Sequence, residues 1–151
     1  MQKITTFLWF TANAEEAMNF YVSIFRNSKV KSTSRAPNGQ VMTGTFVLDG
    51  QEFMALNGGP MFQFTPAISL FVSCETQAEV DELWAKLSAG GKDEQCGWLT
   101  DKFGLSWQII PTALGRLLTA KDAAAAGRVT QAMLKMKKIN IAELERAAAA
   151  K

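Results

Sequence analysis

Cys96, Trp98 and Gln108 are the residues with the most chemistry to offer in a chain of 151 residues that contains no histidine. The missing imidazole removes any Ser-His-Asp or Cys-His nucleophile, because the general base is not there. Acid–base work would fall to carboxylates, lysines, Tyr21 or a thiol. Cys96 stands beside Gly97 and Trp98, and Lys92 and Lys102 are the nearby cations that would favour its thiolate; the competing reading is a packed, inert cysteine. In the strand-like run at 104–110, Gln108 shares a face with Ser106 and Ile110, where its amide either meets a ligand or satisfies a buried backbone group. Trp9, Trp98 and Trp107 are candidate pocket walls set against core packing, whereas Trp84, on a helix face, is core. Met42, Met54 and Met61 either give a cavity an adaptable lining or fill gaps. Glu15 and Glu16 suit the first turn of a helix, and Arg35 is an exposed cation within reach of an anion.

Two similar runs of elements must position these groups. The first is a strand at 4–10, a helix through Asn13-Ala-Glu-Glu-Ala-Met-Asn-Phe-Tyr21 and three antiparallel strands turned at Asn38-Gly39 and Asp49-Gly50. Asn13 is the expected side-chain cap of that helix, with Ala17, Phe20, Tyr21 and Ile24 inward. The second run repeats the order: a strand at 67–72, a helix opened by Glu75-Thr76 with Val80, Leu83, Trp84 and Leu87 inward, and a last strand at 104–110. Beyond Pro111 the pattern is helix only, with a stripe of Val129, Ala132, Met133 and Met136 and a capping-box signal at Asn140 and Glu143. That segment is expected to cover a sheet edge or to pack on a second subunit.

Composition bounds the function classes. Hydrophobic residues make up 48% of the chain, enough for a core in one domain of this length. The longest apolar runs fall short of a membrane span, and the N-terminus carries no signal-peptide pattern, so a cytoplasmic protein without membrane attachment is expected. Cys74 and Cys96 form no Cys-x-x-Cys pair and are expected as free thiols. The net charge of +2 divides into +5 over residues 112–151 and −3 over residues 1–111. Solvated helix lysines explain the basic end better than nucleic acid, since no nucleic-acid motif accompanies it.

The strand Phe7-Leu-Trp-Phe10 followed by Asn13-Ala-Glu-Glu-Ala and Phe20-Tyr21, the segment Leu56-Asn-Gly-Gly-Pro60 and above all the run from Gln95-Cys-Gly-Trp-Leu to Ser106-Trp-Gln-Ile-Ile-Pro111 carry a resemblance. They resemble the PhnB-like branch, often labelled demethylubiquinone methyltransferase-like, of the glyoxalase/bleomycin-resistance/dihydroxybiphenyl-dioxygenase (vicinal oxygen chelate) superfamily. The resemblance is read over nearly all of the chain, helical end included. It implies an α+β fold of two βαβββ modules, residues 1–60 and 61–111, whose curved mixed sheets enclose a cavity. Residues 112–151 follow as a helical extension of the same domain, and the assembly implied is a homodimer. Metal-dependent members of the superfamily place His or Glu ligands on the first and last strands of each module. Carried over residue by residue, those positions fall on Thr6 and Met54 in the first module and on Ser69 (Ala67 if a gap is allowed) and Gln108 in the second. A threonine, a thioether, a serine and an amide do not make a site for a divalent cation. Nor does Asn57-Gly58-Gly59-Pro60 suit an adenosyl cofactor, having Pro where a helix and its anion-binding amides would begin.

The expectation is therefore a protein without metal or organic cofactor that binds a small, partly apolar molecule, with Thr6, Trp9, Met54, Ser69, Cys96, Trp98, Trp107 and Gln108 as cavity candidates. Two alternatives stand beside it: an enzyme of methyltransferase-like or isomerase/lyase-like class using a carboxylate or Cys96, and a structural or regulatory dimer.

Overall fold

A computed structural model of the chain describes residues 2–151. Two compact units divide it, 1–64 and 65–151. In the first unit β1 (Thr6–Phe10), α1 (Ala14–Ile24), β2 (Lys29–Arg35), β3 (Val41–Leu48) and β4 (Gln51–Asn57) follow one another. Their sheet has the order β1-β4-β3-β2, with β1 parallel to β4 and the other pairs antiparallel. In the second unit β5 (Ser69–Cys74), α2 (Gln77–Ser88), β6 (Lys92–Asp93), β7 (Trp98–Thr100) and β8 (Ser106–Pro111) form the sheet β5-β8-β7-β6 with the same pattern. The duplicated sequence thus gives two βαβββ modules. After them come α3 (Thr112–Leu118), α4 (Ala123–Met133) and α5 (Ile141–Ala149).

Alternation sets which side of each sheet its helix covers. On β3, Gly44, Phe46 and Leu48 are buried in alternation, and a register shift opposite Ser34 and Arg35 changes the phase so that Val41 is buried and Met42 exposed. Gly44 makes room for the thioether of Met18 from α1, since a Cβ there would lie 2.6 Å from its sulfur. Tyr21 stacks on Phe46 and Phe46 on Phe53, all three in the layer between α1 and the sheet. In the second unit Leu99, Trp107 and Ile109 take the corresponding places beneath α2, whose Val80, Leu83, Trp84 and Leu87 are buried.

The two helices start differently. Thr76 accepts from the Glu79 N–H, and the Glu79 carboxylate accepts from the Glu75 N–H. Asn13, expected to cap α1, makes no side-chain cap bond. Its role passes to Asn57 at the end of β4, whose Oδ1 accepts from the Ala14 N–H at 2.8 Å while its Nδ2 donates to the Val41 carbonyl. The strand at 4–10 also begins late, at Thr6, with Ile4 87% exposed.

The C-terminal helices build a core of their own, in which Val129, Ile139 and Leu144 are fully buried with Leu114 and Met136. Ile110 of β8 belongs to the same cluster, so the helices rest on the sheet's face rather than along its edge. Gln77 of α2 clamps the start of α5, its Oε1 accepting from the Ile141 N–H and its Nε2 donating to the Ile139 carbonyl. Asn140 caps α5 through the Glu143 N–H, and Lys138 pairs with Asp81 at 2.9 Å.

Candidate functional site

The second sheet's face away from α2 brings four of the expected residues together. Phe71 on β5, Gln108 on β8 and Trp98 on β7 stand in register across three adjacent strands and therefore point to one side. Gln108 donates from Nε2 to Ser69 Oγ at 2.9 Å, a bond that fixes the amide and leaves Oε1 and the second N–H for a ligand. Cys96 lies at the same place, and Leu114 and Leu118 of α3 and Met133 of α4 complete the walls of a groove of about 330 Å³. That volume is at the small end for ligand pockets, which are typically apolar with a few fixed polar groups.

Local structure explains why these residues converge. Cys96 and Gly97 both have positive φ, 59° and 86°, which turns the chain sharply into β7. The Cys96 and Gly97 N–H groups donate to the carbonyls of Met136 and Lys137, so this turn is pinned to the segment after α4. A Cβ at Gly97 would sit 2.6 Å from the Ile110 Cδ1 and 3.2 Å from the Ile109 carbonyl oxygen, so a side chain there is disfavoured by space as well as by φ.

Trp107 belongs elsewhere. It is 2% exposed on the α2 side, and its indole N–H donates to Asp101 Oδ2 at 2.9 Å. Asp101, 3% exposed, also accepts from the Phe103 and Leu105 N–H groups through Oδ1, holding the turn into β8. Trp107 is thus a core residue locked by a buried carboxylate, because the strand alternation that aims Gln108 at the groove aims its neighbour away.

In the first unit, β1 and β4 pair Phe7 with Met54 and Trp9 with Leu56, so these four share the side facing away from α1. Thr6, carried over as the partner of Met54, has the same parity as the buried Leu8 and Phe10 and lies on the other side, where it is exposed. Phe7 holds the place assigned to it. The run Phe7-Leu-Trp-Phe10 is apolar on both faces and hides the alternation that would have shown this. Trp9 is a fixed wall: its indole N–H donates to the Gly59 carbonyl at 2.9 Å, and Phe62 packs edge-on at 5.0 Å between centroids. Phe71, Leu114, Leu118 and Met133 also line the groove, beyond the residues expected from the sequence. Alternation from Ser69 marks Phe71, but no local signal places the three helix residues over the sheet.

The electrostatics assign different roles to the ionisable groups. Burial pushes the Cys74 thiol up to about 12, with Glu79 and Glu75 adding to the effect, so this cysteine stays protonated. The Arg35 guanidinium hydrogen-bonds both oxygens of Glu15, at 2.9 and 3.1 Å, which lowers the Glu15 pKa and commits Arg35 to the protein instead of to an anion.

Neither a metal nor an adenosyl cofactor fits what is present. Met54 with Phe7 and Ser69 with Gln108 offer no carboxylate or imidazole, and among the described residues no three His, Cys, Asp or Glu side chains converge. The glycine segment is likewise spent: the Gly58 and Gly59 N–H groups donate to the Phe10 and Thr11 carbonyls, and the Trp9 indole packs where a Gly58 side chain would be.

A family model described as 3-demethylubiquinone-9 3-methyltransferase matches residues 2–110, both βαβββ modules. The chain belongs to this family. Among solved structures, the PhnB protein from Bacillus cereus is 44% identical, with 73% of this chain and 99% of that chain covered and a TM-score of 0.70. Protein PA1353 from Pseudomonas aeruginosa, 20% identical over 74% of this chain and 98% of that one, shares the fold with a TM-score of 0.63. So does the fosfomycin resistance protein FosX from Listeria monocytogenes, solved with Mn(II) and sulfate, at 14% identity over 71% of this chain and 89% of that one and a TM-score of 0.52. No curated protein matches the chain. The chain is thus PhnB-like, and it shares its fold with FosX. The family match ends at residue 110, ahead of α3, whereas the sequence resemblance was read through the helical end. The helices that roof the groove lie outside the matched segment. No helix among the described residues is long and apolar enough to cross a membrane.

Proposed function

We propose that the protein binds a small, partly apolar molecule in the groove over the second sheet, without metal chemistry, and works as a cytoplasmic homodimer with no nucleic-acid or membrane partner. The observation that carries this reading is the Gln108–Ser69 hydrogen bond. At the two strand positions where metal-dependent relatives hold ligands, this chain has a neutral, oriented amide set among Phe71, Trp98, Ile110, Leu114 and Leu118. An amide so placed recognises one polar group on a ligand whose remaining surface is apolar, because leaving that group unpaired costs more than the bond itself contributes.

Native mass spectrometry of protein purified without a histidine tag, with a metal assay on the same sample, tests it. The expected result is a metal-free dimer carrying an organic adduct that is lost in Gln108→Leu. Stoichiometric metal would sink the reading. The family's description makes S-adenosylmethionine the control ligand: saturable binding in calorimetry would favour a methyltransferase, against the spent amides of Gly58 and Gly59.

A further inference from the structure

The same face of the second sheet carries another recess, which has only Trp98 in common with the groove. Glu94, Gln95, Trp98, Thr100 and Ser106 line it with Pro66 and Leu99, and its volume is about 310 Å³. Its charge is one-sided. Glu94 is the only ionisable residue of that lining, and it is half-buried. Its one side-chain bond is long, accepted at 3.4 Å from the Thr100 hydroxyl, and among the described residues no Lys or Arg forms an ion pair with it. A half-buried carboxylate that forms no ion pair attracts a cation that enters beside it. Trp98 supplies the complementary surface, since the indole face attracts cations better than any other side-chain ring. The Ser106 hydroxyl and the Gln95 side-chain carbonyl add acceptors for N–H groups.

We propose that this recess binds a small organic cation, a primary ammonium on an apolar body, between the Trp98 indole and the Glu94 carboxylate. An anion would be repelled by Glu94. A divalent metal would need further ligands, and no cluster of three acidic, thiol or imidazole groups exists among the described residues. Lys92 pairs in register with Thr100 and so lies on the same face, exposed at the edge strand, where it acts as a competing cation from outside the recess. The proposal goes beyond the groove reading and shares with it only Trp98.

The test is a titration of the full chain with benzylammonium at neutral pH, following the Trp98 indole N–H and the Thr100 amide by two-dimensional NMR. Benzyl alcohol and benzoate serve as neutral and anionic controls. Benzylammonium is expected to shift both signals saturably. Glu94→Gln, which keeps the shape and removes the charge, should weaken binding about tenfold, in the range of a desolvated charge and cation–π contact. Gln108→Leu should bind the probe as the parent does, so that failure of the groove reading leaves this result standing. Benzyl alcohol binding as tightly as benzylammonium, or undiminished binding by a folded Glu94→Gln, would overturn the proposal.

Discussion

The two sheets share strand order and register pattern but differ in what they present on the side away from their helices. On β1 and β4 the first sheet offers Phe7, Trp9, Met54 and Leu56, all apolar, with the one polar atom of Trp9 already bound to Gly59, and its polar groups, Thr43 and Thr45, stand on β3 beside them. The second offers Ser69, Phe71, Trp98 and Gln108, two of them polar and hydrogen-bonded to each other, beneath a roof from α3 and α4. A duplicated fold thus keeps its core layer and diverges on the opposite face. The core layer is tied to the helix packing that makes the module stable, whereas a face that bears ligands is free to change. The roof adds to the contrast, for it comes from residues beyond the family match.

The largest effect is expected where the second unit's groove meets its roof. Gly97→Ala would combine a left-handed φ with a Cβ 2.6 Å from Ile110, and should cost about 3 kcal/mol from strain and overpacking together. Gly59→Ala in the first unit has a similar φ, 87°, but nothing within 4 Å of the added carbon, and strain alone gives about 1–2 kcal/mol. Urea midpoints of the two variants measure the difference. Equal losses would mean that the pinned turn contributes nothing beyond its dihedral angle.

The turns into β4 and β8 make a second pair. Asp101 is buried and accepts three hydrogen bonds, including the one that orients Trp107, so Asp101→Ala should cost about 2 kcal/mol by leaving buried donors unpaired. Asp49, at the tight β3–β4 turn, is exposed with φ 48°, and Asp49→Ala should cost only about 1 kcal/mol, from that dihedral alone. Thermal or urea unfolding of each separates them.

How much of this was legible in the sequence follows the same division. Elements whose burial is one-sided could be read: α1, α2, β3 and the hairpin turns show clean periodicity or an Asn-Gly or Asp-Gly pair, and the repeat gave both modules. The alternation of Ser106, Gln108 and Ile110 likewise puts these three on one face, the face Gln108 shares with Phe71 and Trp98. What failed needed contacts between distant residues. Asn57 displaces Asn13 as a cap because β4 ends beside the α1 N-terminus, which no local window shows. Trp107 looked like a pocket wall until Asp101 claimed its indole. The roof was expected at a sheet edge or on another subunit, since a stripe on α4 says that it is buried but not against what.

The two cysteines extend the contrast to chemistry. Cys74 lies fully buried on the α2 side of β5, and its thiol is raised to about 12; Cys96 is half-exposed in the groove. A disulfide-exchange reagent at pH 8 should therefore titrate one thiol per native chain and two after unfolding, and Cys96→Ser should abolish the native reaction. Cys74 has a linkage consequence as well. Its folded pKa lies above the unfolded value near 9.0, so the folded state holds the proton more tightly. The associated stability is complete below about pH 9 and is lost as pH rises towards about 12. Cys74→Ala should flatten that alkaline decline while leaving the neutral-pH groove chemistry unchanged.

The smallest effect belongs to the surface ion pairs, of which one from each unit makes the comparison. Arg35 bridges both oxygens of Glu15 and also donates to the Gly39 carbonyl, joining α1 to the β2–β3 turn, while Lys138 joins α2 to the segment before α5 through Asp81. The pKa of each acid is lowered, that of Glu15 by the Arg35 hydrogen bonds first and that of Asp81 by Gln77 and then Lys138. The sign follows: each pair contributes only while its carboxylate is ionised, so its contribution is present above the ordinary carboxylate range and is lost as pH falls through the depressed value. Both pairs are solvent-exposed, and at about 0.15 M salt the screening length of about 8 Å leaves little of an exposed attraction. Glu15→Gln and Asp81→Asn should therefore unfold at the parent's urea midpoint in physiological salt, with a small loss appearing only at low ionic strength. The bidentate geometry of Glu15 with Arg35 predicts the larger of the two low-salt losses, because a fixed fork gives up less side-chain freedom per bond than a single lysine contact does. If Asp81→Asn were instead the more damaging at both salt concentrations, the clamp between α2 and the C-terminal helices would rest on that charge and not on the Gln77 amide.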